Sequence, residues 1–196
     1  RASGGANKTS RGGVSRVVVY LRLLLVCKSR LQFIGGVISK TRNYKEEVIM
    51  SKFYEIEPTL ENYWRSIILF GRNVASYKFA LAKSLYDLKD SGQTLITLDQ
   101  LAAPFAKHIT EHLHTCDKQG TSESSRFLDV CRQFNKQTIS QDKLLETTVQ
   151  LGFNNVLDAF HNVHNQELPQ RFFIDERKTK GGIVLTDNFF QLGESL

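Results

Sequence analysis

Proline occurs three times in 196 residues and glycine thirteen times, too few for a collagen-like or proline-rich chain. Cysteine also occurs three times, at positions 27, 116 and 131. An odd count without Cys-x-x-Cys pairs or disulfide-framework spacing points to a reducing compartment, the cytoplasm. No apolar run reaches the roughly 18 residues a membrane span requires; Val17 to Cys27 is interrupted by Arg22. A phosphate-binding glycine loop and a serine nucleophile elbow are missing as well. What remains is ordinary for a globular protein, with 41% apolar and 23% charged residues.

The net charge of +6 suggests nucleic acid or an acidic surface as partner, but the excess is local. Residues 1–49 hold ten Lys or Arg against Glu46 and Glu47, whereas residues 50–196 hold sixteen basic and eighteen acidic groups. The only Met is Met50, and codons for Lys45-Glu46-Glu47-Val48 can spell a purine-rich ribosome-binding site. Residues 1–49 therefore read as a translated leader or a disordered basic segment, and residues 50–196 as the domain. The rival reading is a basic arm that binds nucleic acid or a membrane surface.

Pro58 opens a helical pattern to about Leu88, with Leu60, Trp64, Ile67, Ile68, Leu81 and Leu85 on one stripe. Tyr63, Phe70 and Tyr77 fall seven apart on a neighbouring face, as core or as a base-stacking platform. Arg65, Arg72 and Lys78 line the less apolar side, where charges are usually solvated. Thr97 and Gln100 form a capping box for a second helix that contains Pro104, which kinks it or splits it in two. A third helix carries Phe127, Leu128, Cys131 and Phe134. Ser140 caps a fourth that Gly152 stops, and Asn155 caps a short fifth from Val156 to about Val163.

The period then changes. Residues 171–175 and 182–186 are β-type runs joined by Glu176-Arg177-Lys178-Thr179-Lys180-Gly181. Helix, turn at Gly152-Phe153-Asn154, helix, strand, basic loop, strand is the order of a winged helix-turn-helix. The expected fold is thus mainly α, a helical domain closed by a winged-helix-like helix-turn-helix plus β-hairpin. Its nucleic-acid contacts would be Arg177, Lys178 and Lys180 on phosphate, with Asn155 and Asn162 at base edges, beside His161 and His164. The same unit could instead serve a protein contact, or a homodimer.

Catalytic motifs fail on inspection. His108 and His112 share a helix face, but no Glu follows the first His and no distant third ligand is apparent. His161-Asn162-Val163-His164-Asn165 bunches its histidines instead of dividing them between a strand and a helix. Asp175-Glu176-Arg177-Lys178 resembles half of a restriction-type nuclease site, without a visible upstream acid.

The stretches Phe53-Tyr54-Glu55-Ile56-Glu57-Pro58-Thr59-Leu60-Glu61-Asn62-Tyr63-Trp64-Arg65, Leu151-Gly152-Phe153-Asn154-Asn155-Val156 and Arg171-Phe172-Phe173-Ile174-Asp175-Glu176-Arg177 resemble the N-terminal region of bacterial HNH-endonuclease family proteins. The resemblance covers about residues 51–190. It implies a DNA-recognition or regulatory domain, in restriction or phage defence, with DNA as partner. It also implies that the ββα-metal nuclease module follows this region, so that no catalytic residue or cofactor belongs to this chain and a divalent ion such as Mg²⁺ belongs to that module. The alternative is a free-standing helical interaction module or transcription-regulator-like protein without enzymatic activity.

Overall fold

The computed structural model of the chain describes residues 53–71, 76–116 and 125–193. The readings made for residues 1–49, and for Arg72, lie outside the described residues. A one-turn helix α1 (Phe53–Ile56) leads to α2 (Leu60–Phe70), which starts where the Thr59 hydroxyl accepts the Asn62 N–H at 3.2 Å. The expected continuous helix to Leu88 is instead two helices, α2 and α3 (Tyr77–Lys89). Gly71 is the reason: its backbone turns extended (ψ 140°) and bridges to Val163. A Cβ at this position would lie 2.3 Å from the Ile67 carbonyl oxygen and 2.6 Å from Lys78 Nζ, so only glycine allows the approach.

A short strand β1 (Leu95–Thr97) runs directly into α4 (Leu98–Thr115). The capping box forms as expected: Thr97 N–H donates to Gln100 Oε1 at 2.9 Å and Gln100 N–H to Thr97 Oγ1 at 3.2 Å. The helix continues through Pro104 without a break and carries the wholly buried Leu101, Phe105 and Ile109. Then come α5 (Arg126–Asn135), capped by Ser125, and α6 (Gln141–Thr147), capped by Ser140. α6 widens into one π-turn over Thr148–Gly152. A Cβ on Gly152 would stand 3.3 Å from the Phe105 ring, so this glycine serves close packing.

After the one-turn α7 (Val156–Ala159) come a two-residue-per-strand hairpin, β2 (Asn162–Val163) with β3 (Gln166–Glu167), and then β4 (Phe173–Glu176). The loop expected at 176–181 is a helical turn, α8 (Arg177–Lys180), followed by β5 (Gly182–Leu185) and α9 (Asp187–Phe190). β5 is the centre of an antiparallel sheet ordered β1-β5-β4, in the register Leu95↔Val184 on one side and Ile174↔Val184 on the other. The chain is thus mainly helical with a small antiparallel sheet. Among the described residues, no helix is long and apolar enough to cross a membrane.

Two aromatic groups fill the core. Trp64 meets Phe172 at 5.0 Å, Tyr86 at 5.5 Å, Phe160 at 5.7 Å and Phe189 at 5.8 Å between ring centres. Phe105 meets Phe153 at 4.9 Å and Phe127 at 5.9 Å. Tyr63, Phe70 and Tyr77 do not form a platform. Tyr63 packs on Tyr54, Phe70 stacks on His164, and Tyr77 packs on Phe105 and Phe127 while its hydroxyl meets Ser125 Oγ at 3.0 Å.

Where β1 joins β5 the backbones are very close: a Cβ on Gly182 would lie 2.1 Å from the Ile96 carbonyl oxygen and 2.8 Å from Thr97 Cα. Gly182→Ala is expected to push β1 off β5 at a cost of about 1–3 kcal/mol, the usual range for overpacking. Urea unfolding checks this, since an unchanged midpoint would mean that the sheet opens freely at β1.

Candidate functional site

The C-terminal half brings together most of the side chains that sequence reasoning singled out, but not in the expected arrangement. The fifth helix ends at Ala159, and Asn162, expected near its end, lies in β2. Three interactions take the backbone out of the helix. Lys78 Nζ donates to the carbonyl oxygens of Phe160 at 3.1 Å and Asn162 at 2.9 Å. The buried His161 ring accepts the Phe172 N–H on Nε2 at 3.0 Å. His164 and Asn165 adopt positive φ (50° and 63°), the requirement of a tight two-residue hairpin turn. Lys78, read from sequence as solvated, is 3% exposed and ties α3 to this hairpin.

Arg177 is likewise drawn inward. Its guanidinium bonds both oxygens of Asp175, Asp158 of α7, and the Phe153 carbonyl oxygen at 3.4 Å. The cation holds the Asp175 carboxyl below the ordinary carboxylate range, and the carboxylates raise the guanidinium's affinity for its proton. Asp158, an acid upstream of Asp175, meets the same guanidinium. The space between the two carboxylates, however, is filled by the chain's own arginine. Beyond this clamp Lys178 is exposed, its ammonium in no hydrogen bond or ion pair among the described residues, and Lys180 Nζ stands 3.8 Å from Glu176. Asn155 is exposed at the start of α7, and its side chain makes no capping bond.

Between α7, β2, β3 and β4 lies a cleft of about 250 Å³ lined by Leu157, Asp158, His161, Asn162, Glu167, Arg171, Phe173 and Asp175. Sequence reasoning missed it, because its walls come from four short elements. Leu157 and Phe173 are buried and make the apolar walls; Arg171 pairs with Glu167. His161 is 4% exposed, and its pKa is pushed down to about 3 by burial first and then by the Arg171 and Lys78 charges. The bond from Phe172 occupies Nε2, so the neutral ring carries its proton on Nδ1.

The remaining candidates resolve simply. His108 Nε2 meets Asp87 Oδ2 at 2.6 Å, and burial lowers the His108 pKa against that partner's effect. Among the described residues, no group of three or more His, Cys, Asp or Glu side chains is placed to hold a metal ion. The Cys131 thiol is buried and pushed up to about 12, far from a reactive thiolate. Comparison with protein-family models, curated proteins and solved structures returned no match.

Proposed function

We propose that this chain is a DNA-recognition or regulatory domain of an HNH-type endonuclease, with the β4–β5 hairpin acting as a wing on phosphate. The observation that carries the reading is the Arg177 clamp, which fixes the hairpin tip to α7 through Asp158 and leaves the Lys178 ammonium exposed. A wing held rigidly to the helix before it loses little entropy on meeting a backbone. The sheet order β1-β5-β4, with a helix leaving β1 directly, supports a winged-helix-like architecture in which α7 is reduced to one turn. In this reading Lys178 and Lys180 touch phosphate, Arg177 positions them, and the exposed side chains of Asn155 and Asn162 reach base edges. The nuclease step and its divalent ion would belong to a separate module.

Replacing Lys178 and Lys180 together by Ala, with Arg177 kept, is expected to weaken binding to duplex DNA of any sequence. The slope of log affinity against log salt should fall by about 1–2, since each phosphate left without its lysine lowers it by roughly one. An unchanged slope removes the wing, and no salt-dependent binding at all favours the protein-interaction reading.

A further inference from the structure

A second cavity of about 250 Å³ lies between the α1–α2 corner and the segment that leaves β3. Tyr54 and Tyr63 line it, their ring centres 5.7 Å apart and their planes at 47°, a corner and not a stack. Both tyrosines are largely buried, so the corner is held in place before anything binds. Pro58 and Pro169 add apolar walls. The charged residues among the walls are Glu55 and Glu167, and none is basic; Arg171 meets Glu167 without lining this cavity. Aromatic rings with carboxylates beside them attract a cation and repel phosphate.

Two observations choose the source of that cation. The volume falls below the roughly 300–1,000 Å³ of pockets that enclose whole small molecules, and it suits the end of one side chain. Between the lining residues Glu55 and Pro58 the chain carries Ile56, which is 81% exposed. An open apolar side chain beside an anchoring pocket is what a protein contact covers and a small ion does not. We propose that the Tyr54–Tyr63 corner is a docking site for a protein segment that inserts one Lys or Arg side chain into the cavity and lays an apolar neighbour on Ile56. The proposal lies outside the DNA reading, since a cavity walled by carboxylates offers nothing to phosphate.

The test follows the ring resonances of Tyr54 and Tyr63 by NMR in the whole chain during titration. The probes are two short amidated peptides with leucine next to arginine or to lysine, the arginine peptide with neutral citrulline in its place, and tetramethylammonium chloride. At least one basic peptide should shift both rings saturably below about 1 mM, and citrulline should weaken binding about tenfold. Ile56→Ser, at a side chain outside the core, should weaken that peptide about threefold and leave tetramethylammonium unaffected. Glu55→Gln should lower affinity for the basic peptide but not for the citrulline one, a difference that shrinks in about 1 M salt. No saturable shift with either basic peptide, or equal affinity for the citrulline peptide, overturns the proposal on the unmodified protein. Tetramethylammonium that binds as tightly as the peptides identifies a free small cation and overturns the protein-docking assignment.

Discussion

Trp64→Ala is expected to destabilise the domain by about 3–5 kcal/mol, the range for emptying a large aromatic site in a core. Trp64 is 4% exposed and touches four other rings from α3, the Phe160 turn, the Phe172 segment and α9. Its removal therefore loosens the helical part and the C-terminal part at once. Trp64→Phe should behave differently. The indole Nε1 is buried without a hydrogen-bond partner among the described residues, a penalty of about 1–3 kcal/mol that phenylalanine removes. That relief offsets much of the packing deficit, so the Phe variant should cost less than about 2 kcal/mol. Urea unfolding followed by far-ultraviolet circular dichroism compares the two. Equal costs would show that volume alone matters at this site.

The second large effect is acid instability centred on His161. Its folded pKa is about 3 against an ordinary value of 6.5, so the unfolded chain binds the proton more readily. The stabilisation is full above pH 6.5 and is lost as pH falls toward 3. At about 1.4 kcal/mol per pH unit, His161 alone should remove about 2 kcal/mol between pH 7.5 and pH 5. Protonated Nε2 cannot accept the Phe172 N–H, so the loss begins at the joint between the hairpin and β4. The groups around the ring are Lys78 from α3, Arg171 ahead of β4, Asp158 from α7, Glu167 from β3 and Asp175 from β4. The two cations oppose protonation, and the pairing of Glu167 with Arg171 and of Asp158 and Asp175 with Arg177 limits what the carboxylates can offset. His112 is also depressed, by burial first, and adds in the same direction. Unfolding midpoints at pH 7.5, 6 and 5 measure the slope above the main carboxylate range. A flat profile would mean that the folded ring takes its proton freely.

How far each feature was legible follows from the range of the forces that make it. The Thr97–Gln100 capping box and the Ser140 cap are made by residues three apart, and they form where local rules place them. β1 is invisible to such rules, because only Ile96 of its three residues is buried and its partner Ile183 lies far along the chain. The β2–β3 turn uses His164-Asn165 where a glycine would have announced it. Lys78 and Arg177 have partners that no local rule predicts, because a sequence shows a charge but not what it meets. Lys78 meets two carbonyl oxygens and Arg177 meets two carboxylates, so neither is the free cation that composition suggests.

The place of β5 in the sheet has a consequence for synthesis. β5 is the middle strand, yet it is made last, after β1 and β4 and nearly all the helices. While the chain is emerging from the ribosome, β1 and β4 have no partner in common and their backbone groups stand open to other chains. The helices from α2 to α6 can pack during that interval, but the sheet cannot close. The brevity of β1, three residues with a single buried side chain, keeps that open edge a poor template for wrong pairing.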